Sequence, residues 1–356
     1  MRNGKKVTIK DIAKEAETSI ATVSRVINNS NYPVSKELRN RILSIVSQVN
    51  YSHGSSALNS PRRQNRDVAI LIPNISNPFY PQAILGIESV LHEKGYNILL
   101  YNTLRSKQRE NECLELLQER QVRGVIISTV ENDAESLAAY ANQGMQLVLL
   151  DQAGSLPNCP SIHFDSSRGA RMAMEYLFKN GHRHIAFATT PLVRSTRIDT
   201  YQGYCEALKG ANINYRSDYI FVARDELVAS DQNYELAAGR LLAQEFINSG
   251  CDATAILCVN DMLAIGLINT LIEHGVHIPG DVSVVGFDDI PFAGVYNPQL
   301  TTVRYPIYEA GGLAALLLES MLDGSAGHLG LCMNLEPCFV PRQTVKNLLQ
   351  DITANQ

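Results

Sequence analysis

The chain has 356 residues, a net charge of −5, 45% hydrophobic residues and seven cysteines. That length exceeds what a single hydrophobic core ordinarily organises, so more than one domain is expected. No apolar run is long enough to span a membrane, and the basic N-terminus leads into a capped helix instead of a signal-peptide core, which excludes a membrane protein and points to the cytoplasm. The cysteines (Cys113, Cys159, Cys205, Cys251, Cys258, Cys332 and Cys338) are odd in number, scattered and without a Cys-x-x-Cys pair. They fit reduced thiols in the same compartment.

Val7–Asn29, VTIKDIAKEAETSIATVSRVINN, spells two short helices around a tight break. Thr8 is an N-cap with Asp11 at the third helical position, a shortened capping box. Ile9, Ile12, Ala13 and Ala16 recur at helical spacing. Glu17-Thr18 interrupts the pattern, and Ser19 caps a second helix whose inner face is Val23, Val26 and Ile27. Its outer face carries Ile20, Ala21, Thr22, Ser24, Arg25 and Asn28, which are small, polar or cationic. Such a face suits a DNA major groove, where Arg reads guanine and small apolar groups touch the thymine methyl. A surface hairpin with a solvated face is the competing reading of the pair alone.

Ser35 caps a third predicted helix with Leu38, Ile42, Ile45, Val46 and Val49 as its buried stripe. Residues 1–66 hold twelve Lys and Arg against four Asp and Glu, and the remainder nineteen against thirty-two. This split suggests a nucleic-acid-binding head on an acidic body.

The run TIKDIAKEA…SIATVSRVINN…VSKELRNRI…VNYS resembles the head of the LacI/GalR family of bacterial transcriptional regulators. The resemblance implies that Ile20, Ala21 and Arg25 read bases. It places Thr8, Ser19, Thr22, Ser24 and Asn28 for phosphates or caps. In the turn the family usually has Gly-Val, which eases a positive φ; Glu17 must carry that cost or bend the turn differently.

Residues 51–66, YSHGSSALNSPRRQNR, read as a hinge or linker between a head over 1–50 and the body. In the family this segment folds on DNA and wedges a leucine into the minor groove. Here Ala57 is kept, Ser60 stands where the wedge leucine belongs, and Leu58 lies two residues early. Gly54, Asn59 and Pro61 weaken a helix. Either Leu58 is the wedge in a shifted register, or specificity rests on the head.

The body, about 67–345, alternates strands and helices. Strands are predicted at 67–73, 97–101, 124–128, 147–150, 185–188, 219–222, 255–258 and 283–287, with a helix over about 81–95 and room for further helices between strands. Such alternation gives parallel sheets covered by helices, and some 280 residues of it read as two lobes. No glycine-rich phosphate loop follows the first strand. Asn77-Pro-Phe-Tyr80, Gly181-His-Arg-His-Ile185, Asn260-Asp-Met-Leu-Ala-Ile-Gly266, Gly286-Phe-Asp-Asp289 and Pro298-Gln-Leu-Thr-Thr-Val303 resemble the periplasmic binding protein-like core of the same family. The expected fold is therefore α/β, a three-helix helix-turn-helix head plus a two-lobed core, with a C-terminal tail over 346–356.

In open α/β sheets ligands sit beyond the carboxyl ends of the strands. Phe79, Tyr80, Asp151, Asn260 and Asp288 fall there. Aromatics with Asn and Asp suit a hydroxyl-rich small molecule such as a sugar or nucleoside. The family Arg three residues before the Gly203-Tyr204 pair is Thr200 here; Arg194 or Arg197 could reach in instead, and Arg194 with Thr196 resembles the arrangement in purine-responsive members. Tyr305 replaces a family Gln. These departures imply a ligand other than the commonest family hexose bound in the commonest way.

No nucleophile elbow or His-Glu-x-x-His motif occurs, and His182, His184, His274 and His277 read as surface or cap histidines, so neither enzyme activity, metal nor cofactor is expected. Two functions remain: a homodimeric repressor whose operator affinity answers to an effector between the lobes, or a small-molecule sensor whose head does not read DNA specifically. The tail is too short for a leucine-heptad bundle, so dimers without a tetramer are expected.

Overall fold

The computed structural model describes residues 8–27, 34–48, 66–130, 134–152, 159–224, 233–325 and 330–350. The chain divides into two compact units, residues 1–66 and 67–356.

In the first unit α1 (Ile9–Glu15), α2 (Ile20–Ile27) and α3 (Lys36–Gln48) surround a small core. Ile12, Ala13, Ala16, Val23, Val26, Ile42 and Ile45 are buried in it, with Ile9, Ile27, Leu38 and Val46 packed at its margin. Val49 and Asn28 lie outside the described residues, as does the hinge with Ala57, Leu58 and Ser60. The capping box is formed: the Thr8 N–H donates to Asp11 Oδ2 at 2.8 Å, and the Asp11 N–H donates back to Thr8 Oγ1 at 3.4 Å. The turn keeps its shape without a glycine. Glu17 takes φ of +53°, so the residue that replaces glycine carries the left-handed conformation itself. Its ion pair with Arg41, at 3.7 Å, joins two exposed side chains and compensates little.

The second unit is two α/β lobes. Lobe 1 is a six-stranded sheet built from β1 (Asp67–Ile72), β2 (Asn97–Asn102), β3 (Gly124–Ile127), β4 (Gln146–Leu150), β5 (Ser161–Phe164) and β11 (Cys332–Leu335), in the order β11-β5-β4-β3-β1-β2. Lobe 2 uses β6 (Ile185–Thr189), β7 (Ile220–Val222), β8 (Ala255–Cys258), β9 (Ser283–Asp288), β10 (Thr301–Arg304) and β12 (Cys338–Val340), in the order β12-β10-β9-β8-β6-β7. Every described pairing is parallel except β10 with β12. The central strands are continuous apolar runs because helices cover both sheet faces; β3 and β8 are buried along their whole length.

The covering helices are α4 (Phe79–Leu91), α5 (Lys107–Glu119), α6 (Ala134–Asn142), α7 (Ser166–Lys179), α8 (Ser195–Gly210), α9 (Tyr234–Ser249), α10 (Asp261–Glu273) and α11 (Ile307–Leu322). The first of them begins at Phe79, two residues before the expected start, so Phe79 and Tyr80 sit in a helical turn instead of the preceding loop. Packing of α4 on α11 is backbone-close: a Cβ on Gly311 would stand 2.2 Å from the Ala83 carbonyl oxygen. The chain passes between lobes after β5, after β10 and after β11, and these strands, with β12, are the ones the sequence did not predict. Polar residues interrupt β5 (SIHF), β10 (TTVR) and β11 (CMNL), and β12 is three residues at a sheet edge, so they lack the apolar run that marks a central strand.

One expectation is corrected by packing. His182 is 1% exposed, hydrogen-bonded to Thr254 Oγ1 and the Lys346 carbonyl at 2.9 and 3.0 Å, and so belongs to the core and not the surface. The segment after Val345 continues docking on lobe 2 through Lys346 N–H to Ser283 Oγ and Leu348 N–H to the Asn180 carbonyl, both 2.9 Å. Among the described residues no helix is long and apolar enough to cross a membrane.

A left-handed non-glycine residue costs about 1 kcal/mol relative to glycine. Glu17→Gly is expected to stabilise the head by about that amount, slowing amide hydrogen exchange in α1 and α2 roughly fivefold; exchange that speeds up would show that Glu17 contributes more through its side chain than its backbone costs.

Candidate effector cleft and DNA-reading helix

The second helix of the head presents the predicted face. Ser19 Oγ accepts from the Thr22 N–H at 3.1 Å and lies 2.8 Å from Thr22 Oγ1, so these two hydroxyls cap the helix. Ile20 is 43% exposed, Ala21 and Arg25 are exposed, and Ser24 is half-buried. The apolar residues Val23 and Val26 are buried on the opposite side and anchor the helix to the core.

In the two-lobed unit the residues at the carboxyl ends of the strands meet where the lobes face each other. The central group is Arg194, at the N-cap of α8 in lobe 2. Its Nη1 donates to Tyr80 Oη at 2.6 Å, and its Nη2 donates to Ser128 Oγ at 3.0 Å and to Asp151 Oδ2 at 2.9 Å. All three acceptors belong to lobe 1. Both charged side chains are about nine-tenths buried, 11% exposed for Arg194 and 10% for Asp151. Burial pushes the Asp151 carboxyl up to about 6, against the pull of Arg194 and Arg197. Burial likewise raises Tyr80.

Arg197, one turn on, reaches the Pro191 carbonyl at 3.4 Å. Burial, then the neighbouring Arg194, lowers its pKa. Thr200, at the position of the missing family Arg, is buried and returns its hydroxyl to the Thr196 carbonyl at 2.7 Å. Of the two arginines that could reach across, Arg194 makes the bridge.

Asn260 is the N-cap of α10, its Oδ1 accepting from the Leu263 N–H at 2.9 Å. Asp288 ends β9 with φ of +105° and accepts no hydrogen bond among the described residues. Burial, then the charges of Asp261, Asp151 and Glu235, drives its pKa well up. Tyr305 is buried in a ring cluster, stacked on Phe164 at 4.7 Å between centroids and edge-on to Phe79 at 6.4 Å. Phe79 and Tyr305 therefore form the floor where the chain crosses between lobes, whereas the Tyr80 hydroxyl faces Arg194.

Several participants carried no strong sequence signal. Asn74 Nδ2 donates to Glu235 Oε2 at 3.1 Å, a second bond between lobes, and Arg105 lies over the Tyr234 ring at 3.4 Å. Asn74 and Ser128 could have been found as the first polar residues after β1 and β3; Glu235 sits within a helix and had no such mark. Thr190 Oγ1, Ser195 Oγ and Arg194 Nε are buried without a hydrogen-bond partner among the described residues, all in the β6–α8 connection. Buried polar atoms are satisfied in the great majority of cases, so three orphans in one connection make it a candidate place for a polar ligand. No group of three or more His, Cys, Asp or Glu among the described residues could hold a metal ion.

The family model for bacterial regulatory proteins of the lacI family matches residues 8–53, and that for periplasmic binding proteins and the sugar binding domain of the LacI family matches residues 65–324. The NTD biosynthesis operon regulator NtdR of Bacillus subtilis is 30% identical over 319 residues, covering 90% of this chain and 94% of that protein. The transcriptional repressor PurR of Histophilus somni is 29% identical, covering 96% and 99%. The crystal structure of a LacI family transcriptional regulator from Enterococcus faecium with bound ribose has 27% identity and a TM-score of 0.69, covering 79% of this chain and 99% of that one. With both halves of the architecture matched over most of its length, the chain belongs to the LacI family of bacterial regulatory proteins.

Proposed function

We propose that this protein is a cytoplasmic, homodimeric repressor whose affinity for a pseudo-palindromic operator is set by a small polar ligand, a sugar or nucleoside, held between the lobes of residues 67–350. The observation that carries the ligand half is the group of orphaned polar atoms at Thr190, Arg194 and Ser195, beside a guanidinium that ties the lobes together. Relatives named as operon regulators and repressors, and a similar structure with bound ribose, support both halves.

In this reading Arg25 with Ile20 and Ala21 reads bases, and Thr8, Ser19, Thr22, Ser24 and Asn28 contact phosphates or cap helices. The effector is held by Asp288, Asn260, Asp151, Arg194 and Arg197, with Tyr80 and Thr196 at the wall and Phe79 and Tyr305 beneath. One head neutralises few phosphates, so useful affinity requires two heads on a symmetric site. A ligand that bridges both lobes favours the lobe angle it fits, and the coupling equals its difference in affinity between DNA-competent and incompetent states, typically about 1–3 kcal/mol.

Arg25→Ala is expected to lose about 1–3 kcal/mol of discrimination at one guanine, with a smaller loss on random DNA. Equal losses on both duplexes in a titration remove Arg25 from the reading set. Leu58→Ala is expected to weaken operator binding and reduce bending; an unchanged bend angle assigns specificity to the head alone. A thermal-shift screen of sugars, nucleosides and purines identifies the effector by mass action on the native state. With that effector, Asp288→Ala is expected to abolish the operator response while leaving effector-free DNA binding near the parental level. A normal response from this variant relocates the pocket.

A further inference from the structure

Two contacts join the lobes on the side of the cleft opposite the crossings. The chain crosses at the β5–β11 edge of one sheet and the β10–β12 edge of the other, whereas β1 and β2, and β6 and β7, lie at the far edges. Asn74 follows β1, Arg105 follows β2, and Tyr234 and Glu235 open α9, the helix after β7. The Asn74 amide donates to Glu235 Oε2 at 3.1 Å, and the Arg105 guanidinium lies over the Tyr234 ring at 3.4 Å. Asn74, Tyr234 and Glu235 are all buried. A hydrogen bond made out of water is costly to leave half-made, because each partner then stays desolvated.

The connection that carries Arg105 is unusual in its backbone. Leu104 and Arg105 take φ of +49° and +56°, two left-handed residues in succession with no glycine between them. They are held there by the Arg105 N–H donating to the Pro73 carbonyl at 2.9 Å and the Leu104 N–H to Asn102 Oδ1 at 3.4 Å. Conformations of this kind persist where the surroundings over-determine them, and they gather at clamps and switches. Here the strained pair delivers a cation to the face of a ring on the other lobe, an arrangement that is attractive in itself and stronger when desolvated.

We propose that Arg105–Tyr234 and Asn74–Glu235 form a clasp across the mouth of the cleft, whose opening admits and releases whatever the lobes hold. The gating role rests on the cleft being the effector site; the clasp as a restraint on the lobes does not. Rotation of one lobe about the crossings displaces most the parts farthest from them, so contacts at the far edges resist opening with the longest lever. The Arg194 tie is anchored on Ser128 and Asp151, at the ends of β3 and β4, nearer the crossings. The clasp closes the side that the crossings leave open, and the tie lies between the two.

The test reads access to the cleft without any ligand. Ser195 Oγ is buried beside Arg194, so Ser195→Cys places a thiol there, and its alkylation by iodoacetamide in the full chain is followed by peptide mass mapping. Adding Asn74→Ala with Arg105→Ala is expected to speed alkylation at position 195 about tenfold, whereas Arg105→Lys, which keeps a cation for the ring, should stay near the parental rate. Cys258, fully buried in β8, reports on the fold and should remain slow. Arg168→Ala, which breaks the exposed pair with Glu336 beside the β11 crossing, should leave the rate at position 195 unchanged. Arg105→Ala alone carries the test should the paired variant fail to fold. An unchanged rate at position 195 overturns the clasp, as does equal acceleration at Cys258 or in Arg168→Ala, since either would place the loosening elsewhere. The effector reading is decided apart from this result, by the thermal-shift screen and Asp288→Ala.

Discussion

The arrangement of the two lobes depends on one buried guanidinium. Arginine does not release its proton in a protein, so Arg194, with a side chain only 11% exposed, must be met by acceptors. The acceptors it finds, Tyr80, Ser128 and Asp151, stand at the ends of α4, β3 and β4 in lobe 1, while its own backbone caps α8 in lobe 2. Removing one partner from a buried pair of this kind typically costs about 3–5 kcal/mol, because the other charge stays buried and unmatched. The tie therefore makes lobe placement sensitive to whatever else competes for those three groups. A polar ligand of the kind proposed would be such a competitor.

Supporting that tie are backbones held outside their ordinary range. Asp151 has φ of +61°, and Asp288 and Asp289 have +105° and +53°. Residues in such conformations persist where their surroundings over-determine them. At the β9 end the determinants are visible: Asp289 is held by two arginines, and the next amide, of Ile290, is held by the buried Asp261 carboxylate. Gly286 leaves room for that carboxylate, since a Cβ there would sit 2.3 Å from Asp261 Oδ1. Asp288 is thus presented by a rigid loop while its own side chain stays unpartnered, a combination suited to meeting a ligand.

In the head the same logic operates with less material. A core of seven buried side chains holds α2 from one side, and this leaves Ile20, Ala21 and Arg25 exposed on the other. The left-handed Glu17 is tolerated at a turn whose neighbours are set by the capping box before it and by Ser19 after it.

Local pattern alone was enough for the three head helices, their caps, the central strands and the division into a basic head and an acidic body, because each rests on neighbours within a few residues: periodicity, capping spacing and charge. The strand-end rule also singles out Tyr80 and Asp151, both of which Arg194 meets. What required tertiary structure was everything decided by distant partners. The choice of Arg194 over Arg197 depends on which guanidinium reaches lobe 1, and the roles of Asn74, Ser128 and Glu235 depend on facing groups 66 to 161 residues away. Strands β5, β10 and β11 carry polar residues within four positions and β12 is a three-residue edge, so they show no apolar run, and His182 became a core residue only when the C-terminal segment supplied its acceptor. A sequence specifies its local preferences directly; desolvation and pairing across the cleft exist only after folding has put those side chains in reach.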